Sequence, residues 1–423
     1  MKKANLGTPN LVTMSVVGLL FVAAVLAGRS SSPATGAAKP LGVDFVVSSA
    51  GDAGPGTLRD AIMAADRLTN RAHISIAVKR IAIESALPAL VNPHGVTIDA
   101  QPGFGVIDAA HQIKGAAVQI NSPTSLLHGI SIVNAHDFGI VINAAAVEID
   151  SVNISGSKVG IFLGAAAKGS SIRTSVFEHD DTAITAEPGV RDVTILSSIF
   201  RANSKAGFWF VGGVEKDADM AHGEIQERVR IIDSVFEKNA SGVVLANRPV
   251  LVQKCRFMST TESAILVLSG AARIEDNEIQ GGTGTAISVT AGRQVTLARN
   301  NLSGNLMTAI MVRDSQVLVD RNTLTGNASG VVSIASDNSG GTIIRDNVIT
   351  KSTADAITVI GGSPRLQRNQ VIDNRGAGLR MLNLVSSTGE IKATPQLDAN
   401  VFKGNVTDQP PAAVYKLAGT LPR

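Results

Sequence analysis

Five charged residues stand at one recurring position in this chain. Asp137, Lys158, Asp181, Lys205 and, after a gap, Glu262 each lie two residues before a Gly or Ala that opens an apolar strand. The signs of the first four alternate, and His136, His179 and Asp180 lie beside them. Carboxylates, imidazoles and ammoniums gathered in this way supply a proton donor and a proton acceptor. The ammoniums also suit an anionic sugar such as a uronate. His136, Asp137, Lys158, His179, Asp180, Asp181 and Lys205 are therefore the candidate catalytic residues. Hydrolysis would need two carboxylates flanking the bond at a defined separation. Lyase or epimerase chemistry would need a base such as Lys or His near a neutralised carboxylate. A column of alternating charge has a simpler use too, since it relieves like-charge repulsion between successive repeats.

Phe162, Glu187, Trp209 and His222 are the candidate substrate contacts. Trp209 is the one tryptophan in the chain, and an aromatic face offers a platform for a sugar ring. The stretch 213–226 (GVEKDADMAHGEIQ) follows it and carries Glu215, Asp217, Asp219, His222 and Glu224. The same stretch also reads as an ordinary solvated loop. No metal motif with tight ligand spacing occurs, so no metal is assigned, and no cofactor is identified. There is no Gly-x-Ser-x-Gly elbow and no phosphate loop. Net charge is +3 without a basic block, which argues against nucleic acid. The single cysteine, Cys255, permits no intrachain disulfide and reads as a small buried residue.

A repeat positions these residues. It appears as Ile274-Glu-Asp-Asn277-Glu-Ile279, Leu297-Ala-Arg-Asn300-Asn-Leu302, Val319-Asp-Arg-Asn322-Thr-Leu324, Ile344-Arg-Asp-Asn347-Val-Ile349 and Leu366-Gln-Arg-Asn369-Gln-Val371. Ser175, Ser198, Ser234 and Cys255 take the Asn place earlier, and Asn400 takes it later. A fixed period of this kind indicates a solenoid. Each unit holds three short β-rich stretches and no sustained helical period, which excludes a leucine-rich repeat. The expected fold is all-β, a right-handed parallel β-helix of roughly thirteen coils. Asn is expected at the bend because it tolerates the left-handed backbone region and stacks on its equivalents. Apolar residues are 44% of the chain and aromatic residues 3%, which suits narrow coils filled by Val, Ile, Leu and Ala.

Strands such as Gly139-Ile-Val-Ile142 and Gly160-Ile-Phe-Leu163 should stack into one sheet, here called the first sheet. Alternation points Ile140, Ile161, Ile184, Phe208, Val243 and Ile265 inward. It points Val141, Phe162, Thr185, Trp209, Val244 and Leu266 outward, an apolar stripe that marks a contact with a ligand, a partner or a loop of the same chain. Extra residues enter at 213–226 and near 384–393, and insertions in a solenoid commonly carry function on one face.

Residues 1–28 read as a signal peptide or N-terminal membrane anchor. Lys2 and Lys3 precede an apolar run, and small residues favour cleavage after Ala27. Residues 29–40 read as a flexible linker, 41–72 as an N-terminal cap with an amphipathic helix over Thr57–Thr69, 73–409 as the β-helix and 410–423 as a tail. The chain is therefore expected to be exported to the periplasm, cell surface or medium, meeting a membrane only through an uncleaved N-terminal segment.

Gly54-Pro-Gly-Thr-Leu-Arg59-Asp-Ala-Ile62 and Val96-Thr-Ile-Asp99-Ala-Gln-Pro-Gly103 resemble the cap helix and first-coil motif of the pectate-lyase superfamily. That resemblance implies the β-helix fold. It also implies a calcium site built from carboxylates on one sheet and an arginine base. Asp137 and Asp150 match acidic positions of the family, and Phe177-Glu-His-Asp-Asp-Thr182 is similar to its Phe-x-x-His-Asp-Lys-Thr segment. Ser151 stands where the family has His, and Phe162 where it adds a carboxylate. Asn203-Ser-Lys205 stands in place of the Arg-bearing segment. The expected function is binding of a polysaccharide, with or without its modification by lyase, epimerase or hydrolase chemistry. The alternative is a noncatalytic surface or scaffold protein contacting a polysaccharide or envelope protein.

Overall fold

The computed structural model describes residues 43–110, 114–211, 229–247, 249–336, 341–386, 389–409 and 413–416. The segments 1–28 and 29–40 and the loop 213–226, with His222, lie outside them, as does most of the stretch 410–423. Among the described residues no helix is long and apolar enough to cross a membrane.

The strands form three sheets, of fifteen, fourteen and fourteen members. Each turn of chain contributes in order to a second sheet, a third sheet and the first sheet, as in Glu148–Asp150, Asn153–Ser155 and Val159–Leu163. Turn-to-turn pairing is parallel, so Ile140 meets Ile161 and Ile161 meets Ile184, and one bulge shifts the register between Gly270 and Ala272. Stacking identical positions at about 4.8 Å makes the fold a parallel β-helix. Among the described residues twelve turns with a strand in each sheet run from Val96–Ala100 to Leu379–Ser386, and Gln396–Asp398, Val401–Lys403 and Ala413–Lys416 add one more, in line with the roughly thirteen expected.

The helix spans Leu58–Ala65, shorter than the sequence suggests, because Asp66 already caps it. Thr57 caps its start by accepting from the Asp60 N–H. Leu58, Ala61, Ile62 and Ala65 bury one face, and Leu68 packs beyond the helix end. The stack begins earlier than the sequence reading placed it, since Val43–Val47 already pairs with Ala72–Ile76. It also ends later, since Ala413–Lys416 pairs with Leu382–Val385. The surplus near 384–393 is a fold-back in which Gly389–Ile391 pairs antiparallel with Leu384–Ser386.

The asparagines stack as expected. Asn300 accepts from Asn277 N and Nδ2 at 3.1 and 2.9 Å. Asn322 accepts in the same way from Asn300, Asn347 from Asn322, and Asn369 from Asn347. The expected role of Asn in the left-handed region needs correcting. The positive φ belongs to the residue just before each Asn, namely Asp276, Arg299, Arg321, Asp346 and Arg368. The Asn is therefore selected by its amide and not by its backbone.

A second ladder, unforeseen from the sequence, sits five residues further on, at the bend into the first sheet. There Asn305 Nδ2 donates to Asn327 Oδ1 at 2.8 Å and Asn374 Nδ2 to Asn405 Oδ1 at 2.8 Å. The core also departs from the aliphatic expectation. Phe177, Phe200, Phe236 and Phe257 form one stacked column with ring centroids 5.1, 4.5 and 4.7 Å apart. Gly207 and Gly242 face these rings, and a Cβ on either would come within 2.6 Å of a Phe ring carbon.

Candidate functional site

The outward row of the first sheet is continuous in register. Val141, Phe162, Thr185, Trp209, Val244 and Leu266 are successive partners. Trp209 is 38% exposed between the fully buried Phe208 and Phe210, as strand alternation places it. Val244 points outward by register yet is only 1% exposed, so it interrupts the open row between Trp209 and the half-buried Leu266. Phe162 is held edge-on by Phe138, with centroids 5.4 Å apart. Phe138 is a floor residue that the period-2 pattern misses. The paired inward positions Gly139 and Ile140 break the alternation and turn Phe138 outward beside them.

One wall of this surface is the predicted charge column. Val159 N bonds to Asp137 O at 2.8 Å, Thr182 N to Lys158 O at 3.1 Å and Lys205 N to Asp181 O at 2.8 Å, which stacks the four residues rung on rung. The one exception to the spacing is Glu262, which accepts from Ser241 Oγ at 2.9 Å two rungs above Lys205. Asp137 accepts from Gly115 N at 3.0 Å and contacts His136 Nδ1 at 2.9 Å. The Gly115 N–H, then the His136 ring, hold its carboxyl below the usual range. Asp181 is paired with Lys205 Nζ at 2.9 Å and accepts from Ser204 Oγ at 2.9 Å. Lys205, then Ser204, lower it likewise. Lys158 lies between these carboxylates with no ion pair of its own among the described residues.

The remaining candidates are placed differently. Asp180 is 1% exposed and belongs to the second ladder, so it cannot touch a ligand in the groove. His179 is exposed, but it occupies the left-handed position of the bend and joins no other candidate among the described residues. Glu187 is fixed by accepting from Ala165 N at 2.9 Å, on the side of the row opposite the charge column. His222 is outside the described residues.

The residues do not fit the calcium site that the family resemblance implies. Asp150 is on the second sheet, where it pairs with Arg173 and His128 at 3.3 Å, away from Asp137. Phe162 occupies the place of the added carboxylate. Among the described residues no group of three or more His, Cys, Asp or Glu side chains is placed to hold a metal ion.

What the arrangement does offer is a shallow groove with an aromatic and aliphatic floor. It has a free ammonium at Lys158 and a hydrogen-bonded imidazole–carboxylate pair at His136 and Asp137. In such a pair the carboxylate orients the ring and leaves Nε2 to act on a ligand.

Residues 220–388 match the family model described as right handed beta helix region. No curated protein matches the chain. Among solved structures it is similar to the A-module of a mannuronan C-5 epimerase of Azotobacter vinelandii. The TM-score is 0.52 at 12% identity, over 85% of this chain and 94% of that one. A second A-module from the same organism gives 0.52 at 13% identity, over 87% and 100%. The catalytic domain of a GH87 α-1,3-glucanase in complex with tetrasaccharides gives 0.54 at 10% identity, over 92% and 70%. At these identities the likeness establishes the right-handed parallel β-helix fold and leaves the site to be argued from its own residues.

Proposed function

We propose that this protein is exported and binds a polysaccharide along the first sheet, between the Asp137–Lys205 column and the Trp209 row. The observation that carries the reading is Trp209, a lone exposed indole set in a row of stacked apolar residues beside alternating charge. A sugar ring stacked there gains roughly 1 kcal/mol beyond simple burial. Val141, in the rung of the His136–Asp137 pair, lies three rungs from Trp209, about 14 Å at the usual strand spacing. That length suits an extended polymer better than a single sugar. The similar folds named for mannuronan and α-1,3-glucan support a glycan partner.

If the groove is catalytic, its residues suit proton abstraction better than hydrolysis. Asp137 and Asp181 are held ionised by their partners, and Asp180 is buried. Neither Asp137 nor Asp181 is kept protonated to serve as a general acid. The base would be His136, with Lys158 neutralising a uronate carboxylate. The noncatalytic reading draws support from the pairing of Asp181 with Lys205, which is the contact a structural ladder needs.

The test uses the purified chain with a panel of acidic and neutral polysaccharides. Binding to one of them should be lost or weakened in Trp209→Ala and in Lys158→Ala. Unchanged affinity in both folded variants overturns the groove. An unsaturated sugar product indicates a lyase, new reducing ends without unsaturation a hydrolase, and binding without either product a scaffold.

A further inference from the structure

Asp180 is the one carboxylate at the asparagine position of either ladder among the described residues, and its neighbours show what the position demands. In Asn203 the side-chain oxygen accepts from Asp180 N at 3.0 Å, while Nδ2 donates to Phe177 O at 3.3 Å. In Asn239 the oxygen accepts from Asn203 N at 3.0 Å, and Nδ2 donates to Phe200 O at 2.9 Å. Asp180 performs the first task, since Oδ1 accepts from Ser157 N at 2.7 Å. It cannot perform the second as a carboxylate, because Oδ2 stands where an asparagine would carry hydrogens. Oδ2 is buried without a partner, and so is the hydroxyl of Ser157 beside it. Gly160 packs against Oδ2, close enough that a Cβ there would lie 3.1 Å from it.

Among the described residues no cation compensates. Arg201 is engaged by Glu178 and Glu237, and Lys205 by Asp181. Lys158, on the rung before, faces Asp137 and Asp181. Glu178 and Asp181 add negative charge from the same rung, and His179 projects outward.

We propose that Asp180 is a proton switch built into the wall of the groove. With its proton, the Oδ2 hydroxyl supplies the missing donor and the bend closes as an asparagine ladder. When the proton leaves to solvent, a buried charge remains, and the bends carrying Lys158 and Asp181 loosen. Burial, helped by the charges of Glu178 and Asp181, pushes this carboxyl up to about 7, against a partial offset from the N–H and the hydroxyl of Ser157. The switch therefore works near neutral pH and does not depend on what the groove binds.

Hydrogen exchange of the Ser157 and Asp181 amides tests it. In an open bend the carboxyl is solvated and titrates near 3.8. Between that value and about 7 the closed form holds a proton that the open form does not. The opening constant should then rise roughly tenfold per pH unit at first, about fiftyfold from pH 5 to pH 7, and level off above. In Asp180→Asn it should be flat. Asp180→Ser, with the residue type found at Ser157 and Ser352 in the same column, should be flat as well and guards against misfolding of the first variant. A flat profile in the unaltered protein, or the same rise in either variant, overturns the proposal.

Discussion

Replacing Asn322 by leucine removes four hydrogen bonds from the interior of the first ladder. Its oxygen accepts from Asn300 N at 2.9 Å and from Asn300 Nδ2 at 3.0 Å. Its nitrogen donates to Leu297 O at 2.8 Å and to Asn347 Oδ1 at 3.0 Å. Two of the partners keep other bonds. Asn300 Nδ2 still donates to Ile274 O, and Asn347 Oδ1 still accepts from the residue 322 N–H. The Asn300 N–H is left facing methyl groups. A buried unsatisfied donor costs about 1–3 kcal/mol, and each other lost bond about 1 kcal/mol net. Leucine burial returns about 1–2 kcal/mol. The expected loss is about 2–5 kcal/mol. Asn322→Ser should cost less, about 1–2 kcal/mol. The native column shows why, since Ser234 Oγ accepts from Ser198 N at 3.2 Å and keeps the same N–H satisfied. Solenoids open locally, so urea midpoints should be read together with exchange of the Asn300 amide. A leucine variant within about 0.5 kcal/mol of the parent, or a serine variant as damaging as leucine, would refute the ladder as a stabilising element.

His73 touches Asp44 at 3.0 Å through Nδ1 and Asp99 at 2.9 Å through Nε2, and only an imidazolium donates to both. Burial pulls its pKa down, but the bonds to Asp99 and Asp44 outweigh it and raise it above 6.5. Its stabilising contribution should be complete below that value and disappear as pH rises through the raised one; His73→Gln should abolish this slope in the exchange of the Val43–Val47 strand. Burial pushes the Cys255 thiol up to about 12, so alkylation at pH 8 should be negligible in the folded chain and complete in denaturant. Expression in a bacterial host should yield a mature N-terminus near Gly28, whereas a retained Met1 in the membrane fraction would show an uncleaved anchor.

The repeat is local information, and its consequences could be derived from the chain alone. The spacing of Asn277, Asn300 and Asn322 names the period, and Gly160-Ile-Phe-Leu163 names a strand with Ile161 inward and Phe162 outward. Both follow because every rung repeats the same short-range geometry, so one unit implies its neighbours. The charge column was legible for the same reason. The second ladder was also written there, as Asn300 and Asn305 or Asn369 and Asn374 five residues apart, but its meaning needed the bend to be seen. Asp180 shows the limit. Beside His179 and Asp181 it reads as one more acid in a polar cluster, yet two consecutive residues at a bend point in opposite directions, and a stacked neighbour decides which is buried. The Phe177–Phe257 column, the outward turn of Phe138 and the pairing of Asp181 with Lys205 depend likewise on contacts between residues more than twenty positions apart. Burial and charge pairing are set by those long-range neighbours, so only the tertiary structure could separate the groove wall from the core behind it.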